Sequence, residues 1–167
     1  AEIEAMFPER FADTQAAVTV RMSHDPARAP GHAVSVDGDV VTVTYCRTVD
    51  AFRAIGRLGG ADDGVEPHDE TACFTMQGVM FDTSRNAVLN IDSARSLLRR
   101  LALMGVNMLM LYTEDTYEVP DEPFFGYLRG RYTADELKGL DDYAALFGIE
   151  MIPCIQTLGH LGQILQW

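Results

Sequence analysis

Basic residues are scarce in this sequence. It contains 13 Lys and Arg against 25 Asp and Glu, which gives a formal net charge of -12 at pH 7. Proteins that bind nucleic acids or anionic membranes present clustered positive charge to phosphate groups. We therefore expect neither a nucleic acid nor a membrane among the partners of this chain.

Long apolar runs are also missing. None approaches the roughly 20 residues that a membrane-spanning helix needs. The first residues, AEIEAMFPERF, lack the basic region followed by an apolar region that marks a signal peptide. These absences predict a cytoplasmic protein, although a sequence that starts with Ala rather than Met leaves open a leader that has been removed.

Cysteine is rare, and its three copies are far apart. Cys46, Cys73 and Cys154 are odd in number and lie in apolar or strand-like surroundings, which favours small buried side chains over a disulfide framework. A reducing, intracellular setting follows. A nucleophilic Cys154 paired with His160 is disfavoured because no oxyanion donor or orienting group can be named for it.

The first part of the chain alternates in the manner of β-strands. Apolar residues alternate over 16–22 and twice within 32–46, where Asp37-Gly38 supplies the positive φ angles of a tight hairpin. Thr48 is then the predicted N-cap of a helix that ends at Gly59-Gly60. These patterns predict a small α/β layer.

The segment 61–70 is polar and acidic and contains Gly and Pro, which is typical of a boundary between domains. We place His68 in solvent there. The sequence thus predicts a small non-catalytic α/β domain over 1–68 and a second domain over 69–167.

The second part has the order strand, helix, strand, helix, strand. Strands are predicted over 76–82, 106–112 and 149–155, and Asn90 and the Thr133–Glu136 capping box begin the two helices. The near-continuous hydrophobicity of 106–112 predicts a parallel strand that is covered on both faces. An open doubly wound sheet and a (β/α)8 barrel both fit this order.

Polar side chains follow each predicted strand. In both architectures the ligand binds to the loops after the carboxyl ends of the strands, so we expect these side chains to share one site. They are Asp82, Ser84 and Arg85 after the first strand, Glu114, Asp115 and Tyr117 after the second, and Gln156 and His160 after the third.

Four segments, taken in order, resemble the catalytic domain of glycoside hydrolase family 20, the β-N-acetylhexosaminidases. That family begins its barrel with Arg-Gly, apolar residues and Asp-x-x-Arg, ends its second strand in Asp-Asp, and ends its third in IPEID-x-x-GH. The corresponding segments here are QGVMFDTSR (77–85), LYTEDTYEVP (111–120) and IPCIQTLGH (152–160), with FFGYLRGRYT (124–133) introducing the second helix.

The resemblance implies a small α/β domain followed by the first βα units of a (β/α)8 TIM barrel. Such a barrel usually takes about 250 residues, and the segment from residue 69 can supply only three of its eight strands. We therefore expect the chain to be the N-terminal part of a longer enzyme. The fragment is expected to be inactive by itself, because the family carries its catalytic Asp-Glu pair at the end of the fourth strand.

The activity that the resemblance implies is exo-hydrolysis of terminal β-linked GlcNAc or GalNAc with retention of configuration and without a cofactor. The substrate's own 2-acetamido carbonyl acts as the nucleophile, an exception to the usual two-carboxylate scheme. His160 would support the proton-donating glutamate together with Glu114 or Asp115, and Glu114 stands where the family has Asp.

The sugar-binding residues implied by the resemblance include one departure from the family. Gln77 replaces an arginine that holds sugar hydroxyls, and its neutral amide cannot make the same charge-assisted bonds. Arg85, Arg129 or Arg131 could supply a substitute donor. The predicted substrate-binding residues are Gln77, Asp82, Arg85 and Trp167, the last as a ring that stacks on sugar.

Two other functions stay open at this point. The chain could be a complete small α/β domain in which Asp82, Glu114 and Asp115 bind Mg²⁺ through their oxygens. It could also be a carbohydrate-binding module without activity. A homo-oligomer stays open as well, because some members of the family dimerise.

Overall fold

The computed structural model describes residues 18–61, 64–85, 88–160, 162 and 165. The chain divides into two compact units. The first extends to Thr75 and includes Arg99–Gly105, and the second comprises Met76–Leu98 and the chain from Val106 onward. Within the described ranges, no helix has the length and the apolar character that crossing a membrane would require.

The first unit is a four-stranded sheet with one helix. Its strand order is β1-β3-β2-β4, with β1 parallel to β3 and the other neighbours antiparallel. The elements are β1 (Thr19–His24), β2 (Gly31–Asp37), β3 (Val40–Tyr45), α1 (Thr48–Gly59) and β4 (His68–Thr71).

The predicted hairpin is confirmed. Asp37 pairs with Val40, and Gly38 in the turn has a φ of 54°, a left-handed conformation that suits glycine. Side chains from the inward-facing positions of the hairpin and from α1 form the core of this unit: Val34, Val41, Val43 and Ala54, with Leu58 and Val65 packed against them.

The expected solvation of His68 is wrong. His68 begins β4, and its Nε2 lies 3.2 Å from the Nε2 of His32, which is almost completely buried. His68 Nδ1 donates to the carbonyl of Glu66 at 2.8 Å, because a carbonyl oxygen can only accept. Burial lowers the pKa of His32 and keeps that ring neutral.

The first residue of α1 also differs from the prediction. Thr48 lies inside the helix, and the N-cap is Arg47, whose backbone and side chain both bind Asp50. The buried carboxylate of Asp50 accepts from Arg47 N and from Gly31 N, each at 3.0 Å, and from Arg47 Nη2 at 2.8 Å. Burial would raise the pKa of Asp50, but these bonds outweigh it and hold the pKa below its ordinary value.

Asp50 therefore joins the start of α1 to the start of β2, and Asp50→Asn should break this link. The amide keeps the size of the carboxylate but leaves the Arg47 guanidinium without a counter-charge. We expect the free energy of unfolding of the full chain to fall by about 3 kcal/mol, as when one partner of a buried ion pair is removed. Urea denaturation followed by circular dichroism measures the change.

Asp142→Asn is the matched control, because the Asp142 carboxylate is exposed in an ion pair with Lys138. It should leave the urea midpoint almost unchanged. The pKa of Asp50 is lowered in the folded protein. Its contribution to the free energy of unfolding is therefore complete above the ordinary carboxyl pKa and is lost as the pH falls through the pKa of the folded state. A difference between wild type and Asp50→Asn that stayed constant into strong acid would contradict this account.

The second unit is a three-stranded parallel sheet with the order β5-β6-β7. This is the predicted series of βα units. The elements of this series are β5 (Gly78–Asp82), α2 (Ile91–Leu103), β6 (Met108–Tyr112), α3 (Ala134–Ala145) and β7 (Glu150–Cys154), and the part of α2 from Arg99 onward belongs to the first unit.

Both helices of this series begin where the sequence predicts. Asn90 Oδ1 accepts from Ser93 N at 2.8 Å at the start of α2. Thr133 and Glu136 form the predicted capping box of α3, with Glu136 N donating to Thr133 Oγ1 at 3.1 Å and Thr133 N donating to Glu136 Oε2 at 2.8 Å.

The prediction that β6 is covered on both faces is wrong for the described residues. Leu109 and Leu111 are buried, whereas Met108, Met110 and Tyr112 on the opposite face are only half-buried. Met80, next to Met110 in the sheet, is 63% exposed. Hydrophobicity alone could not distinguish the two faces, because methionine and leucine are both apolar.

Candidate functional site

The carboxyl ends of β5, β6 and β7 lie side by side. Asp82, Tyr112 and Cys154 occupy the same position of the parallel register, so the three following loops begin at one edge of the sheet. The side chains that meet there are called the strand-end cluster below. It consists of Asp82, Ser84, Arg85, Tyr112, Glu114, Asp115, Arg129 and His160.

Glu114 lies at the centre of the cluster. Its side chain is only 11% exposed. The Oε1 atom accepts from Arg85 Nη1 at 2.6 Å and from the Tyr112 phenol at 3.0 Å, and His160 Nδ1 lies 3.5 Å from the same oxygen. The structure therefore brings together residues from all three strand ends, as the sequence predicts.

Arg85 connects Glu114 to the loop after β5. Its Nη1 also donates to Ser84 Oγ at 2.7 Å and lies 3.6 Å from Asp82 Oδ2. Asp82 Oδ1 in turn accepts from the Ser84 backbone and hydroxyl. Desolvation opposes ionisation of Asp82, but the bonds from Ser84 and the charge of Arg85 outweigh it, so the pKa of Asp82 is lowered and it stays ionised.

Tyr112 supports the central carboxylate from inside the sheet. Desolvation and its hydrogen bond to Glu114 raise the pKa of the Tyr112 phenol, so it remains a donor at neutral pH. The Arg85 guanidinium lies 5.7 Å from the centre of the Tyr112 ring, within the range of a cation–π contact. Sequence reasoning missed Tyr112 because it is the last residue of an apolar strand.

Asp115 and Arg129 form a second ion pair beside Glu114. Arg129 Nε lies 3.2 Å from Asp115 Oδ1, and Arg129 Nη2 lies 4.0 Å from Glu114 Oε2 and donates to the Ser84 carbonyl at 2.6 Å. The sequence suggests Arg129 as a sugar donor, whereas its guanidinium is engaged by protein groups.

Two threonines underneath the cluster hold the loops together. Thr83 Oγ1 donates to the Tyr112 carbonyl at 2.9 Å and lies 3.3 Å from Thr116 Oγ1, which donates to the Thr113 carbonyl at 2.8 Å. Thr83 and Thr116 are completely buried. Sequence patterns did not single them out, because a threonine after a strand is also an ordinary loop residue.

The backbone at two cluster positions is unfavourable for ordinary side chains. Glu114 has a φ of 49° and His160 a φ of 59°. Left-handed backbone of this kind costs a residue with a Cβ atom about 1 kcal/mol. Such conformations are found more often at functional sites, where the surrounding contacts maintain them.

Gln77, one of the predicted substrate-binding residues, is not in the cluster. Gln77 is exposed and precedes β5, at the amino end of the strand, where its backbone N–H donates to Asn107 Oδ1 at 2.7 Å. Trp167 lies outside the described residues. The sugar-binding roles of both stay predictions.

The other readings of the cluster gain no support. In the part of the chain that the structure describes, no three His, Cys, Asp or Glu side chains are grouped as a metal ion would require. The Asp115 and Glu114 carboxylates instead have arginine partners. Cys154 is a free cysteine at the end of β7.

Comparison with solved structures places the chain in a known fold. A glycoside hydrolase family 20 β-N-acetylglucosaminidase is similar over 98% of the chain, with a TM-score of 0.78 and 22% sequence identity. The β-N-acetylhexosaminidase of Bacteroides fragilis is similar over 98%, with a TM-score of 0.75 and 17% identity. The N-acetyl-β-hexosaminidase of Streptomyces plicatus, in complex with Thio-NAglucal, is similar over 98% of the chain, with a TM-score of 0.74 and 19% identity.

The chain shares its fold with the N-terminal part of these glycosidases. It spans 37% of the length of the first and 40% of the other two. The mixed α/β architecture with an incomplete barrel, expected from the sequence, is thereby confirmed. No family model matches the sequence, and no curated protein matches it.

Arg129 offers a test of how the cluster is held together. The Asp115 and Glu114 side chains are only 6% and 11% exposed, and Arg129→Met would remove positive charge from both. We expect the free energy of unfolding to fall by about 3 kcal/mol, because an uncompensated buried carboxylate remains. Urea denaturation of the full chain measures the loss.

Lys138→Met makes the same change in an exposed ion pair on α3 and should leave the urea midpoint unchanged. Equal effects of the two substitutions would show that the Arg129 pair contributes no more than a surface contact.

Proposed function

We propose that this chain is the N-terminal part of a retaining exo-β-N-acetylhexosaminidase of glycoside hydrolase family 20. In this proposal the complete protein removes terminal β-linked GlcNAc or GalNAc, and the strand-end cluster forms one wall of the sugar pocket. One observation carries it: Arg85, Glu114 and His160 follow three adjacent parallel strands and meet around a single carboxylate oxygen.

Glu114 and His160 would act through the proton donor. The resemblance assigns that donor to a glutamate after a fourth strand, beyond the three described strands of this sheet. A histidine that lies against a carboxylate can hold its proton on the facing nitrogen and use the other nitrogen toward the donor. Because His160 lies 3.5 Å from Glu114 rather than beside Asp115, we assign the supporting acid to Glu114.

The chemistry of this scheme places specific demands on the cluster. The substrate's acetamido carbonyl attacks the anomeric carbon while the donor protonates the leaving oxygen, and water then opens the oxazolinium ion with retention. The positive charge that develops near the ring is stabilised by nearby carboxylates, and the donor must keep its proton until the leaving oxygen takes it. The buried negative charge of Glu114 would stabilise the positive charge near the ring and help the donor to keep its proton.

Arg85 is the proposed donor to sugar hydroxyls. Its side chain is 56% exposed, and the contacts to Ser84, Asp82 and Glu114 all involve Nη1. The exposed part of the guanidinium can donate charge-assisted hydrogen bonds to a ligand, and such bonds are about twice as strong as neutral ones.

The activity test uses the complete protein and 4-nitrophenyl N-acetyl-β-glucosaminide. We expect the unaltered protein to release nitrophenol and, by NMR, to form the β-anomer of GlcNAc first. Glu114→Gln should lower kcat/KM by about 100-fold, within the range of lost acid–base assistance. The amide keeps the shape of the side chain but neither its charge nor its ion pair with Arg85.

Glu118→Gln is the matched control, because Glu118 is exposed in the same loop. It should retain wild-type kcat/KM. The assignment of Glu114 would be refuted if both variants kept full activity, and the proposed function would be refuted if the unaltered complete protein released no sugar from either the gluco or the galacto substrate.

A further inference from the structure

His32 and His68 bring their imidazole rings together in the first unit, and neither belongs to the strand-end cluster. The two Nε2 atoms lie 3.2 Å apart, and the rings meet edge to face with centroids 5.3 Å apart. His32 is only 1% exposed. The two residues are called the histidine pair below. Histidine is the side chain whose charge ordinarily changes between pH 5 and 8, so a buried contact of this kind responds to pH.

The contact between the two rings accommodates one hydrogen atom. His68 Nδ1 donates to the Glu66 carbonyl, so a neutral His68 has a bare Nε2 that can accept from His32. When His68 takes up a proton, its Nε2–H can instead donate to a neutral His32 that carries its hydrogen on Nδ1. Protonation of both rings would place two N–H groups and two positive charges face to face, and the contact would become repulsive.

The histidine pair joins β2 to β4, which has four residues and lies at the edge of the sheet. In the antiparallel register, Val34 is opposite His68 and His32 is opposite Glu70. Both imidazoles therefore lie on the face of the sheet that carries the core residue Val34. Val65, which precedes β4, packs against the same core. Release of β4 would thus uncover His32 and part of the core of this unit.

Ion pairs also attach β4, but they are more exposed than His32. Glu70 binds Arg53 and Arg57 of α1 at 3.1 and 2.7 Å. Asp69 binds Arg28 at 2.5 Å. These five side chains are 17% to 63% exposed, and exposed ion pairs contribute little to stability. The histidine pair is therefore a buried polar contact on an otherwise weakly attached strand.

The groups around the histidine pair limit which of them can respond to weak acid. Burial lowers the pKa of His32, and the charge of Glu70 opposes this shift. Desolvation opposes ionisation of Glu70, but hydrogen bonds from Arg57 and Arg53 outweigh it and lower its pKa. The pKa of Asp69 is lowered by its ion pair with an arginine. Both carboxylates therefore stay ionised while imidazoles change charge. The titratable and charged groups around the pair are Tyr45 on β3, Arg53 and Arg57 on α1, Asp69 and Glu70 on β4, and Glu66 before β4.

We propose that the histidine pair keeps β4 on β2 near neutral pH and that protonation of both rings in weak acid releases the strand. This inference concerns the first unit and does not depend on the proposed function. The pKa of His32 is lower in the closed sheet than in a released, solvated strand, so release takes up a proton. The contribution of the pair is complete above the ordinary imidazole pKa of 6.5 and is lost as the pH falls through the pKa of the folded state.

Backbone hydrogen exchange of the 167-residue chain, followed by NMR, measures the release. The Ala72 amide donates to the Pro30 carbonyl at 2.8 Å directly after β4 and reports on this edge. Its protection, relative to an unstructured peptide at the same pH, should fall toward acid with a slope approaching tenfold per pH unit, because release takes up about one proton. The amides that pair β2 with β3 should keep their protection.

Two variants separate the pair from the burial of His32 alone. His32→Gln removes the buried ring, and the protection of Ala72 should then change by less than about twofold between pH 7.5 and pH 5, because no linked proton remains. His68→Gln keeps His32 but gives it a neutral partner that can still hydrogen-bond, so the fall should move to lower pH. If His32→Gln does not fold, His68→Gln decides.

His24→Gln is the matched control, because His24 is an exposed histidine on β1, at the opposite edge of the same sheet, where its Nε2 donates to the Cys46 carbonyl. It should keep the wild-type slope. The proposal would be overturned by pH-independent protection of Ala72 in the wild type, or by a wild-type pH dependence in His68→Gln. An equal loss at the amides between β2 and β3 would also overturn it, because acid would then unfold the whole sheet.

Discussion

The buried carboxylate of Glu114 is the interaction on which the rest of the strand-end cluster depends. A negative charge in a side chain that is 11% exposed would cost several kcal/mol without compensation. Arg85 compensates from the loop after β5, and Arg129 approaches from the loop before α3. Because both arginines also bind Ser84, the charge of one carboxylate fixes the positions of two loops relative to each other.

The features that could be predicted from the sequence either depend on neighbouring residues alone or follow from the general geometry of parallel sheets. The cap at Asn90 and the capping box at Thr133 require only neighbouring residues, so their sequence signals are sufficient. The meeting of Glu114 and His160 is a long-range contact, yet it was predictable, because parallel strands connected by helices bring their carboxyl ends to one edge. The order of the motifs along the chain then singles out Glu114 and His160 among the residues at that edge.

The features that could not be predicted depend on pairings between distant polar residues. β4 is short and polar, and only its register with β2, which brings His68 to His32, makes it a strand. Arg47 caps α1 through an aspartate that also binds Gly31, a combination that no single-residue preference describes. Arg129 is 45 positions from Ser84, and its loop has no periodicity from which the contact could be inferred.

The left-handed backbone at Glu114 and His160 has a consequence for attempts to make this protein more heat-tolerant. Glycine substitutions at these positions would relieve the torsional cost, because glycine has no Cβ atom. Here they would delete the carboxylate and the imidazole that the conformation holds in place. Relief of backbone strain at these two positions would therefore remove the side chains of the cluster. A library of stabilising substitutions should leave both residues unchanged.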